Sequence, residues 1–294
     1  MLFRSAKAET FWAAIDADTT FSATAKKRFR FAMEATGLTG AFQPVVSELL
    51  ARVDAETLDD SPAALATLDK AGWLALINGL SASPPFPSDT PGENETEQKD
   101  NYAAALARRV ELRFRTPFIR ARVAAAEPSS PLATFFTDNE DFDFEVTRVE
   151  RYLIENPTAL DGVDSGDRPE LVERLKRTER LMKVADSWAD TERLAAAGYE
   201  SATAIDEVGR EGFTDTMMPS GMAPTDIERT YERACWQRTA AIAVRGMLSS
   251  ELEQVRTRST PNRYDSLPPN ELPPEIADWT KLFGSADQCH CEHC

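Results

Sequence analysis

Phe42-Gln43-Pro44-Val45-Val46-Ser47-Glu48-Leu49-Leu50-Ala51-Arg52-Val53 decides the fold class. Phe42, Val45, Val46, Leu49, Leu50 and Val53 recur at three- and four-residue spacing. An α-helix turns once in about 3.6 residues, so this spacing lays all of them on one face. A half-buried strand would instead alternate apolar and polar residues, which this stretch does not do. Thr39-Gly40 provides the entry, and Pro44 is tolerated in the first turn, where its missing N–H would have had no intrahelical partner.

The same period recurs on both sides. Upstream, Ser22 is placed to cap a helix carrying Phe29, Ala32 and Met33, with Gly37 as its stop. Downstream, Ser61-Pro62 reads as a cap followed by proline at the first helical position. Asp69 caps a short helix with Trp73, Leu74 and Ile77. Residues 81–96 are rich in proline and turn formers and read as a long exposed loop. Helix resumes with Tyr102, Leu106, Val110 and Phe114; Thr116-Pro117 starts another with Phe118, Ile119 and Val123.

Ser130-Pro131 opens a brief helix ending in Phe135-Phe136. The turn Asp138-Asn139-Glu140-Asp141 leads through Phe142 and Phe144 to a helix with Val146, Val149, Tyr152 and Leu153. The loop Asp161 to Asp167 is a soft domain boundary. Beyond it come a helix with Leu171, Leu175, Met182 and Val184, then short helices around Leu194 and Ile205, whose end Gly209 and Gly212 punctuate. A long helix runs from about Thr225 to Arg258, with Ile227, Tyr231, Ala234, Ile242 and Met247 facing inward. Thr225-Asp226-Ile227-Glu228 fits the capping-box pattern at its start. The reading is therefore all-α, an irregular multi-helix assembly with one long C-terminal helix and little or no strand. It divides into an N-terminal helical domain over 1–160, a second helical subdomain over 168–258, and a proline-dotted tail over 259–294.

Composition narrows function by class. The chain has 49 acidic and 33 basic residues and a net charge of −16, a sign that repels phosphate backbones, so nucleic acid is not an expected partner. The basic clusters Lys26-Lys27-Arg28-Phe29-Arg30 and Arg113 to Arg122 read as solvated helix faces. No stretch approaches the ~20 apolar residues of a membrane span. The first residues lack the apolar core and cleavage site of a secretory signal. Both histidines of the chain, His290 and His293, lie at its very end, so residues 1 to 288 hold no imidazole for acid–base work or metal ligation. No nucleophile elbow, phosphate loop or dinucleotide-binding glycine pattern occurs. The acidic turn Asp138, Glu140, Asp141 and Asp143 lacks the glycine and terminal glutamate of a calcium loop. No catalytic residue set and no cofactor is expected.

One segment stands apart. Cys289-His290-Cys291-Glu292-His293-Cys294 gathers three of the four cysteines and both histidines. Thiolate and imidazole are the ligands zinc prefers, and Cys291-x-x-Cys294 has knuckle spacing, which makes Cys289, Cys291, His293 and Cys294 candidate metal ligands. The close spacing of Cys289 and Cys291 and the absence of a second ligand pair point first to plain packing of a helix start, with metal binding and a structural or redox role as the alternatives. Cys235 reads as a small buried hydrophobe.

The string Leu282 to Cys294 resembles a signature of the insecticidal Tc toxin A-subunit family, which includes the Salmonella virulence plasmid A proteins. There a Leu-Phe-Gly-Ser segment, here Leu282, Phe283, Gly284 and Ser285, precedes a Cys-x-Cys-x-His-Cys core, here Cys289, Cys291, His293 and Cys294. A Ser-Pro-Ala-Ala-Tyr helix follows in the family. This chain ends before it, and is expected to be a truncated piece. Leu68 to Ile77, Asn139 to Phe144, and Gly198 to Ala202 with Ile205 and Gly209 resemble upstream family segments more loosely. The resemblance implies a non-enzymatic shell region, a homo-oligomer that is a pentamer in the family, and partnership with downstream domains of the same polypeptide and with other toxin-complex subunits. It also implies secretion without a recognisable signal. The alternative is a zinc-binding helical module built on the same tail.

Overall fold

The computed structural model describes residues 6–257. Among these the chain forms thirteen α-helices, two short 3-10 helices and no strand, an all-α fold. It divides into two compact units, Met1–Ala126 and Glu127–Cys294.

The first unit contains α1 (Ala6–Ala17), α2 (Ala23–Thr39), α3 (Gln43–Asp54), a 3-10 helix (Pro62–Thr67), α4 (Lys70–Asn78), α5 (Glu95–Arg113) and α6 (Arg115–Ala126). Its helix starts are written in side chains. Ser22 accepts from the Ala25 N–H, Asp69 from the Gly72 N–H and Asn94 from the Glu97 N–H, each satisfying a donor the first turn leaves open. α3 presents Val45, Val46 and Leu49 to the core beside Phe31 and Ala35 of α2. Trp73, Leu76 and Ile77 of α4 and Leu106 and Val110 of α5 are buried as well, and these two helices pack along each other.

Three boundaries differ from expectation. Gly37 lies inside α2; the helix ends at Gly40, whose φ of 65° is the left-handed conformation that closes a C-terminus. Tyr102 Oη and Arg109 Nη1 then donate to the freed carbonyls of Thr39 and Leu38, at 3.2 and 2.9 Å. Burial pushes the Tyr102 phenol up to about 12, with the Arg109 charge acting the other way. Ser61 makes no side-chain cap, and only a 3-10 helix follows it. Thr116 sits buried within α6, which begins a residue earlier.

The proline-rich loop before α5 is exposed over most of its length, as expected, but it is anchored at buried points. Phe86 is 5% exposed and Thr90 8%. Gln98 and Asn101 of α5 donate side-chain amides to the Thr90 and Pro91 carbonyls, at 3.2 and 3.1 Å. At Gly92, with φ of 145°, a Cβ would sit 2.8 Å from the Gln98 nitrogen, so the close approach of loop to helix demands glycine.

The second unit contains α7 (Pro131–Asp138), α8 (Val149–Glu155), α9 (Arg168–Leu181), α10 (Trp188–Ala196), α11 (Ala202–Glu207), α12 (Gly209–Met217), a 3-10 helix (Met218–Ser220) and α13 (Pro224–Thr257). Ser130 caps α7 as expected. Phe135, Phe142 and Tyr152 stack edge to face, with ring centroids 4.9 to 6.3 Å apart. Such geometry suits the ring quadrupoles. A second core gathers Leu181, Val184, Leu194, Ile205, Phe213, Met217, Ile227 and Ala234.

The expected boundary between residues 160 and 168 falls inside this unit. The loop is tied down: Asn139 Nδ2 donates to the Ala159 carbonyl at 2.9 Å, Val163 is buried, and Arg168 Nε donates to the Val163 carbonyl at 2.9 Å. Ion pairs Arg148–Glu179 and Lys176–Glu150 then join α8 to α9. Val146 precedes α8 and is 80% exposed. Gly209, with φ of 73°, closes α11 as expected, and α12 begins there, whereas Gly212 lies inside α12. Thr225 lies within the first turn of α13, because the Asp226 and Ile227 N–H groups donate to the Ala223 carbonyl. Ile227 and Ala234 face the core as expected, but Ile242 is 60% exposed.

Candidate functional site

One polar cluster joins α11 to α13. Ser201 accepts from the Ala204 N–H and starts α11, which places Asp206 one turn later against the middle of α13. Cys235 Sγ donates to Asp206 Oδ1 at 2.9 Å, and Arg238 Nη1 donates to Oδ2 at 2.5 Å. These two donors, Cys235 first, hold the Asp206 carboxyl below its ordinary range. Burial, then the neighbouring carboxylate, pushes the Cys235 thiol up, so it stays protonated at neutral pH. A thiol in that state is a poor nucleophile. Cys235 is half-buried and hydrogen-bonded, unlike the plain buried hydrophobe its spacing suggested. Arg210 lies over the Tyr231 ring at 5.4 Å and pairs with Glu228. This set of groups fastens α11 and α12 to α13.

The acidic turn is built into the fold in a similar way. Tyr152 Oη donates to Asp141 Oδ1 at 2.7 Å, and Asp143 Oδ1 accepts from the Glu145 N–H at 2.9 Å. Among the described residues no group of three or more His, Cys, Asp or Glu is arranged to hold a metal.

Both basic clusters are paired. Arg30 and Arg28 meet Asp16 and Asp54, and Lys27 lies 3.9 Å from Asp60. Arg113 meets Glu34, and Arg122 meets Asp69 at 3.2 Å while also donating to the Thr67 carbonyl. Beside the first cluster, Ile15, Phe21, Phe29 and Leu50 line an open apolar groove of about 410 Å³.

The metal candidates Cys289, Cys291, His293 and Cys294, and the motif residues Leu282, Phe283, Gly284 and Ser285, lie outside the described residues. So do the tail over 259–294 and the side chain of Met247. Of the looser family segments, Leu68 to Ile77 covers the cap and body of α4, Asn139 to Phe144 the acidic turn, and Gly198 to Gly209 the region of α11. Sequence reasoning missed the Asp206–Arg238 pair, whose partners are 32 residues apart and carry no local signal. Among the described residues no helix is long and apolar enough to cross a membrane. No protein-family model, curated protein or solved structure matches the chain.

Proposed function

We propose that this chain is a non-enzymatic helical shell region of a larger toxin A-subunit-like protein, serving target-cell binding and delivery of a toxic component within a homo-oligomer. The observation that carries this reading is the outer part of α13. From Cys235 to Gly246 no residue of this helix is buried, yet it continues to Thr257. Past Ala241, the last residue that lines the cavity beside α11, about 1.5 Å per residue gives an arm of roughly 24 Å. Most helical stability in proteins comes from tertiary packing of one face, so a surface supplied by a larger assembly accounts for a helix continued without a buried residue. The likeness of Leu282 to Cys294 to the family signature names the kind of assembly. Secretion and the partner subunits follow from that likeness alone.

A second reading, zinc held by Cys289, Cys291, His293 and Cys294, is favoured by the ligand chemistry of that string. One preparation tests both. The full-length gene product, examined by light scattering and electron microscopy, is expected to be a pentamer whose chain runs on past Cys294 through Ser-Pro-Ala-Ala-Tyr or a similar segment. A monomer ending at Cys294 would sink the shell reading. About one zinc per chain, lost on Cys291→Ser and Cys294→Ser substitution, would establish the second; a metal-free sample of unchanged helicity would remove it.

A further inference from the structure

The C-terminal end of α9, the first turn of α11 and one side of α13 line an open cavity of about 170 Å³ within the second unit. Its lining carries Arg180, Lys183 and Arg238, the hydroxyls of Ser201 and Thr203, and the indole of Trp236, with no carboxylate. In a chain of net charge −16, that concentrates positive charge where little is expected.

The three cations are unequally satisfied. Arg238 is committed to Asp206. Arg180 donates through Nε to the Glu200 carbonyl at 2.9 Å and has no carboxylate partner among the described residues. Lys183 lies 3.5 Å from Glu179 Oε1. That carboxylate is already taken, by Arg148 at 2.5 Å and by the Val149 N–H at 3.1 Å. Arg180 thus lines the cavity without a carboxylate partner among the described residues, and Lys183 shares its one carboxylate with Arg148. Ser201 Oγ accepts from the Ala204 N–H, which leaves its own proton free to donate. Above this floor Trp236 is 73% exposed and offers an unused aromatic face.

We propose that the cavity binds a small phosphate monoester, its dianion held by Arg180 and Lys183 and its ring laid on Trp236. At neutral pH a phosphate monoester carries about −1.5 to −2 charges, which suits an unpaired Arg180 and a Lys183 that shares its carboxylate better than a single carboxylate does. The cavity has room for about five waters at about 30 Å³ each, enough for the phosphate group itself. The ester's ring must therefore lie outside, where the indole is. Nothing in this site requires assembly, so a monomeric chain binds equally.

The test is calorimetric titration of the 294-residue chain with phenyl phosphate, glucose 6-phosphate, inorganic phosphate and benzoate. Saturable binding of phenyl phosphate is expected, roughly tenfold or more tighter than inorganic phosphate or benzoate, with glucose 6-phosphate between them. Arg180→Ala and Lys183→Ala each weaken it by roughly tenfold. Trp236→Ala abolishes the preference for phenyl phosphate over inorganic phosphate while phosphate itself still binds. Lys183 and Trp236 are exposed, so their variants fold even if Arg180→Ala does not. Lack of saturation in the millimolar range overturns the proposal. Binding indifferent to both Lys183→Ala and Trp236→Ala overturns it as well.

Discussion

The two parts of α13 share one continuous backbone and differ in everything that surrounds it. Over Ile227 to Ala234 the helix is a wall of a core, with Ile227 and Ala234 buried against α11 and α12 and with Tyr231 beside Phe213. Beyond Cys235 every described side chain is at least partly exposed. Helical propensity does not separate them, since alanine is frequent in the outer part and the inner part contains threonine and tyrosine. Tertiary burial does. The inner turns are held by packing and the next turn by the bonds of Cys235 and Arg238 to Asp206, while the turns after it depend on hydrogen bonds along the helix and on whatever covers them.

The largest expected break of this contrast is Phe213→Ala. It empties the ring site between Tyr199 and Tyr231, whose centroids lie 5.3 and 6.0 Å away. Urea unfolding should show a loss of about 3–5 kcal/mol. Hydrogen exchange should show the inner amides of α13 losing protection while those of the outer part barely change.

A smaller effect sharpens the junction between the two parts. Asp206 is more acidic when folded than its ordinary value of 3.8, because Cys235 and Arg238 both donate to it. Its contribution is therefore complete above the unfolded carboxyl value and disappears as pH falls through the lower folded one. Asp206→Asn should cost about 1 kcal/mol at pH 7. The gap from wild type should close on acidification to below about pH 3, as measured by urea melts across pH.

Ile242→Ser is the smallest. With Ile242 60% exposed, the chain's stability should move by less than about 0.5 kcal/mol. A larger loss in the isolated chain would mean that the outer helix is covered after all.

Much of the fold could be read directly. Ser22, Asp69 and Ser130 act as the caps their positions suggest, and Val45, Val46 and Leu49 form the buried stripe of α3. The misreadings share a cause. Gly37 and Gly212 look like stops but lie inside helices, whereas Gly209, with φ of 73°, does close α11; a glycine ends a helix where the backbone turns left-handed, and spacing does not report that. Thr225 has a capping pattern, yet Pro224 starts the helix one residue earlier, where the Ala223 carbonyl accepts. Ile242 lies on a regular stripe, but a stripe buries only if another element arrives to cover it. Of the candidate sites, the tail string was legible as ligand chemistry, whereas the α11–α13 cluster and the cationic cavity join residues far apart in the chain.

The proline-rich loop between α4 and α5 has a consequence for how this chain is cut. Pinned at Phe86 and fastened to α5 at Thr90 and Pro91, it behaves as short spans around fixed points. A protease needs a freely extended run of backbone, so the composition that advertises a linker here should give a resistant segment. Limited digestion would then find its first purchase elsewhere, and fragments beginning near Phe86 should be scarce.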